Sequence, residues 1–157
     1  MQSKACNEKV KLGRGDCEVL DKMYKNAEMG SSSIIDIMPK VEDDSLRAVL
    51  TAQLAGYDEW SRRTSEMLCC GGVEPKEENI VARAGAKIGM AMNTMIDTTT
   101  SHIADMVIKG SNMGITDLTK LINKYGESEE CSKDVLSLAK EMREFEEGNL
   151  EKVKPYL

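Results

Sequence analysis

The sequence predicts an all-α protein built as a four-helix bundle. Its 157 residues include only three prolines and are rich in helix-forming Ala, Met, Leu, Lys and Glu. Apolar residues recur every three to four positions along four long stretches. Proline- or glycine-bearing segments separate those stretches. Aromatic residues make up 4% of the chain, so the eleven methionines and the aliphatic residues must fill the core.

A polar N-terminal tail, residues 1–15, precedes a single domain over 16–157. The tail has no apolar stretch of the secretory kind and reads as disordered. The first helix is expected from about Asp16, as its cap, to Met38. Leu20, Met23, Ala27, Ser31, Ile34 and Met38 form its inner stripe, and Pro39 ends it. The second runs from Asp43 or Asp44 to Cys70, with Leu46, Val49, Gln53, Tyr57, Trp60, Thr64 and Met67 inward. Gly71 is its expected left-handed stop.

Residues 72–88 read as a long connection with some helix of its own. A third helix is expected from Lys87 to Lys109, with Ile88, Met92, Met95, Thr99, His102 and Met106 on one face. "GSNMGIT" reads as a break, followed by a short extra helix capped by Thr116 and ending at Tyr125. The last helix is expected from the Ser132 cap to Val153, with Val135, Leu138, Met142, Phe145 and Asn149 inward. Pro155 lies just beyond it. The tight turn at Pro39 makes the first two helices antiparallel neighbours, and the longer second link can run the length of the bundle.

A net charge of −6 and a pI near 5.0 set the chain apart from nucleic-acid binders, which present a basic surface. No apolar run approaches the roughly 20 residues that span a bilayer. These features fit a cytoplasmic protein. Five cysteines without a secretory signal read as reduced thiols, Cys69 and Cys70 included.

Five stretches, "MYKNAEMG", "MPKVEDD", "GVEPKEENIVARAGAKIGMAMNTM", "TTTSHIADM" and "GSNMGITDLTKLIN", resemble ferritin-like proteins of clostridia and other Firmicutes that have no assigned activity. The resemblance covers about residues 18–157. It implies a ferritin-like bundle with a long crossover between helices 2 and 3. Members of the wider superfamily hold two iron or manganese ions with a Glu from each of two helices and Glu-x-x-His from each of the others. This chain departs from that pattern. Thr99 stands three residues before His102, the only histidine, so no Glu-x-x-His exists.

Polar residues nevertheless fall on inward or border positions: Tyr24, Glu28, Gln53, Tyr57, Thr99, His102, Glu146 and Asn149. One reading is a residual mononuclear iron or manganese site formed by His102, Glu28 and Glu146. The favoured reading is a hydrogen-bonded network of Tyr24, Gln53, Tyr57, Thr99 and Asn149 with His102, fixing helix register without a cofactor. The expected function is therefore a non-catalytic structural or interaction protein, a homodimer or the binder of another protein, with a degenerate metal site. The alternative is a metal-handling or oxidoreductase protein. A thiol redox role for Cys69 and Cys70 ranks last, because adjacent cysteines pair only with local distortion.

Overall fold

The computed structural model describes residues 9–75 and 95–157. Among them are four long helices and no strand: α1 Arg14–Ile37, α2 Asp44–Cys70, α3 Thr100–Tyr125 and α4 Lys133–Val153. Short 3₁₀ turns, Met38–Lys40 and Lys154–Tyr156, follow α1 and α4. Each contains a proline, whose ring suits the tighter first turn but cannot continue an α-helix. No described helix is long and apolar enough to cross a membrane.

Side-chain oxygens start three of the helices. Asp43 accepts from the Leu46 amide at 2.8 Å, Thr99 Oγ1 from the His102 amide at 3.3 Å, and Ser132 Oγ from the Val135 amide at 3.3 Å. Each satisfies an amide that has no partner within the helix. α2 stops differently from the expectation. Gly71 is right-handed at φ −81°, and the left-handed residue is Gly72 at φ +75°. Gly71 is instead needed for space, since a Cβ there would stand 2.3 Å from Leu12 Cδ1.

The third helix corrects two sequence expectations. It begins at Thr100, not Lys87: residues 95–99 are non-helical, while 76–94 lie outside the described residues. It then runs unbroken through "GSNMGIT", so no separate short helix precedes α4. Thr116, expected as a cap, lies mid-helix and donates to the Asn112 carbonyl at 2.8 Å. Glycine costs a helix interior about 1 kcal/mol relative to alanine. At Gly114 close packing against α4 requires that cost, as described below. The helix expected within 72–88 falls largely outside the described residues.

Contacts fix the helix directions. Ser31 on α1 donates to Asp58 on α2 at 2.9 Å, and Glu28 on α1 accepts from Ser61 on α2. Rising numbers on one helix meet falling numbers on the other, so the pair is antiparallel. Lys22–Asp117 and Glu18–Lys124 give the same order for α1 and α3. Tyr57–Glu146 and Arg63–Glu141 give it for α2 and α4. Hence α1 and α4 point one way, α2 and α3 the other. The end of α2 and the start of α3 lie at opposite ends, joined by residues 71–99. Leu20, Met23, Leu46, Leu50, Leu68, Ile103, Leu118 and Met142 are fully buried between the helices. Such burial stabilises by roughly 1.5–3 kcal/mol per large side chain.

Asp16 ties the first turns of α1 and α4 together. It is the third residue of α1 and not the cap expected from sequence. One carboxylate oxygen accepts from the Gly13 amide at 2.9 Å, the other from the Ser132 amide at 2.7 Å. The Gly15 amide donates to the Glu130 carbonyl at 2.9 Å beside them. Burial works against the Asp16 charge, but the hydrogen bonds from Gly13, Ser132 and Cys131 outweigh it and hold the carboxyl below its ordinary value. Burial, reinforced by Asp16, pushes the Cys131 thiol up to about 12. Cys17, Cys69 and Cys131 carry free thiols. Cys70 is disulfide-bonded, which corrects the expectation of reduced cysteines throughout. Sequence spacing says nothing about which thiols meet in space.

Two outcomes follow. Because the Asp16 carboxyl is lowered from 3.8, its stabilisation is present above that pH and is lost as the pH falls through the folded value. Asp16→Asn should cost about 1–3 kcal/mol at pH 7 and flatten this acid limb, measured by denaturation from pH 2 to 7. Nothing lies within 4 Å of a Cβ added at Gly110. Gly110→Ala should therefore raise stability by about 1 kcal/mol if α3 is continuous there, and urea titration reads the sign.

Candidate functional site

Halfway along the bundle all four helices contribute polar or small residues to one buried layer. Glu146 on α4 is its centre and is 2% exposed. The Tyr57 hydroxyl, from α2, donates to Glu146 Oε2 at 2.7 Å. The Ser111 hydroxyl, from α3, also favours the charged form of this carboxyl. One turn further along, Gln53 Nε2 donates to the Asn149 backbone carbonyl at 3.2 Å. Helix geometry explains the grouping. Gln53 and Tyr57 are four apart and Glu146 and Asn149 three apart, so each pair shares a face.

Glycines make the close approach possible. A Cβ at Gly114 on α3 would stand 3.1 Å from Glu146 Oε1, and one at Gly30 on α1 only 2.5 Å from the Tyr57 ring. Phe145 meets Tyr57 edge-on, with ring centres 5.2 Å apart, and Trp60 lies 6.3 Å from Phe145. The Arg63 guanidinium covers the outer face of Trp60 at 4.4 Å. Aromatic surface thus closes the layer on the α2–α4 side.

Burial dominates the electrostatics. It pushes the Glu146 carboxyl up to about 7, although the hydroxyls of Tyr57 and Ser111 favour the charge. Burial and the neighbouring Glu146 charge raise the Tyr57 phenol well above its ordinary value, so Tyr57 is a hydrogen-bond donor and not a phenolate. Three amide atoms in the interior, Asn26 Nδ2, Gln53 Oε1 and Asn149 Nδ2, make no hydrogen bond. The layer is closed: Tyr57 is its most exposed polar residue, at 5%. A carboxyl and two hydroxyls sealed this way can exchange a proton and fix helix register. They present no face to a substrate.

The structure divides the residues singled out from sequence. Gln53, Tyr57, Glu146 and Asn149 come together. Tyr24 is buried on α1, six residues before Gly30. Thr99 is an exposed helix cap and not a core residue. His102 lies in the first turn of α3, partly exposed. It is nine residues, about 14 Å along the axis, from Ser111. Glu28 is half-buried and accepts from Ser61. His102, Glu28 and Glu146 therefore form no common ligand set. Among the described residues no three His, Cys, Asp or Glu side chains converge as a metal site would require. The expected contacts of His102 with Tyr57, Gln53 or Glu28 are likewise not formed.

Ser111 and Gly114 escaped the sequence reading. "SNMG" looked like a helix break, yet a Ser-x-x-Gly pair on one face is also how a helix admits a bulky polar neighbour. Comparison with protein-family models, with curated proteins and with solved structures finds no match to this chain.

Tyr57→Phe removes a donor from a buried carboxyl while keeping the ring. It should lower stability by about 1–3 kcal/mol. Gly30→Ala should cost a similar amount by forcing the Tyr57 ring away. Both are read by chemical denaturation, and unchanged midpoints would show that the contact carries no energy.

Proposed function

We propose that this chain is a ferritin-like bundle that works as a non-catalytic structural or interaction protein, homodimeric and cytoplasmic, whose ancestral metal position has become a hydrogen-bonded carboxyl layer. The observation that carries this reading is the sealing of Glu146 by Tyr57, Ser111 and Gly114, which leaves the carboxyl engaged with hydroxyls and outside any metal-type cluster of His, Cys, Asp or Glu among the described residues. The helix directions support the ferritin-like part. A chain segment from 71 to 99 joins two parallel helices at opposite ends, which is the demand a long crossover answers.

The interaction part rests on the outer surface. Ile35 on α1 and Met113 on α3 are 56% and 64% exposed, and Ile96 lies just before α3 almost wholly in solvent. These are large apolar groups that a protein partner could cover. The acidic balance argues against nucleic acid as that partner.

Two measurements test the reading together. Size-exclusion chromatography with light scattering should give twice the 17.4 kDa chain mass, and a strict monomer at high concentration would refute the dimer. Elemental analysis after purification should find iron and manganese far below one per chain. About one or two ions per chain would replace this proposal with a metal-handling role.

A further inference from the structure

We infer that Glu146 makes the middle of the bundle a pH-operated joint, closed while the carboxyl keeps its proton and loosened between α3 and the α2–α4 pair once the proton leaves.

Each of the four described helices presents its own groups to the carboxyl. From α2 comes the Tyr57 hydroxyl, a neutral donor. From α3 come Ser111 and Gly114, neither charged. From α1, Gly30 packs behind the Tyr57 ring, and Glu28 on the same helix is engaged by Ser61. The α1 lysines Lys22 and Lys25 pair with Asp117 and Asp21 instead. On α4 itself, Arg143 lies 3.8 Å from Glu147, and its buried Nε makes no hydrogen bond to Glu146 or to any other described group. No cation among these groups compensates a Glu146 carboxylate. A buried charge without a partner costs several kcal/mol, so the group keeps its proton or draws in water.

Geometry decides how water could reach it. On the α3 side even a methyl group at Gly114 would come within 3.1 Å of Oε1, so that face has no room for solvent. Hydrating the anion requires α3 to move away. The neutral acid needs no such movement. Ser111 can turn its hydroxyl from donor to acceptor and accept a hydrogen bond from the carboxyl O–H, while Tyr57 continues to donate to Oε2.

The pH direction follows from burial, which raises the carboxyl from 4.5 to about 7 in the folded chain. A group raised on folding stabilises fully below its unfolded value and loses that contribution as the pH rises through the folded one. The joint therefore weakens as the pH rises from 4.5 to about 7 and no further above it, the reverse of Asp16 at the end of the bundle.

The test labels glutamate carboxyl carbons with ¹³C, follows their chemical shifts from pH 3 to 9, and measures amide hydrogen exchange over the same range. One carboxyl should titrate near neutrality and vanish from the spectrum of Glu146→Gln. After correction for intrinsic exchange rates, amide protection around Ser111–Leu118 should fall by up to tenfold per pH unit between 4.5 and about 7, level off above that titration, and stay level throughout in Glu146→Gln. Titration of every glutamate near 4.5 would overturn the inference, as would an equal loss of protection in the variant. Should Glu146→Gln fail to fold, the unmutated chain still decides. Its protection in α3 must fall as the pH rises toward the neutral titration and level off there, and a titration without that loss refutes the joint.

Discussion

A carboxyl group in the interior of a bundle can be kept only where its oxygens are occupied and its surroundings admit it. The hydrogen bond between Tyr57 and Glu146 meets that demand and organises the rest of the layer. It joins α2 to α4, that is, one antiparallel pair of helices to the other. For the two side chains to meet, the Tyr57 ring must lie against α1 and Glu146 against α3. Gly30 and Gly114 stand at those two places because a larger residue would collide with the Tyr57 ring at the first and crowd the carboxyl at the second. Sliding either helix pair by one turn would bring α1 or α3 side chains against the Tyr57 ring or the carboxyl. It would also leave a buried polar group unpaired, which is how one polar contact specifies register in an otherwise permissive methionine- and leucine-filled interior.

Two buried acids in the same fold behave in opposite ways, and backbone position explains it. Asp16 sits where two helices begin, so unpaired amides of Gly13 and Ser132 point at it and hold its charge. Glu146 sits mid-helix, where every amide is already committed to its own ladder and only side-chain hydroxyls remain. Glu146 is also the more deeply buried of the two, and so one carboxyl is lowered and the other raised. The end of the bundle is fastened by an ion and its middle by a neutral acid.

Much of this architecture is visible in the sequence as periodicity. The stripes through Leu20, Leu46, Val135 and Met142, the caps Asp43 and Ser132, and the stop at Pro39 all depend on neighbours within a few residues. The start of α3 was misplaced because apolar residues at Met92 and Met95 continue the helical spacing into a segment whose last part, 95–99, is not helical. That error carried Thr99 and His102 into the expected core. "GSNMGIT" was misread for the opposite reason. Local propensity marks Gly114 as a breaker, but tertiary packing against Glu146 makes glycine the residue that fits. Nor could spacing reveal a contact between residues 57 and 146, 89 positions apart, since it depends on how helices dock and not on how each one forms. The ligand pattern that the ferritin-like resemblance implied offered no guide to the layer this chain contains.

The claim that one cross-pair interaction fixes the middle of the bundle is tested most directly by a double-mutant cycle on Tyr57 and Glu146. Stabilities of the unmutated chain, Tyr57→Phe, Glu146→Gln and the double variant are measured by chemical denaturation at pH 6. The account predicts a coupling energy of about 1–3 kcal/mol, because the two groups act through one shared contact. Additivity within about 0.5 kcal/mol would mean that the residues contribute independently, and would contradict it.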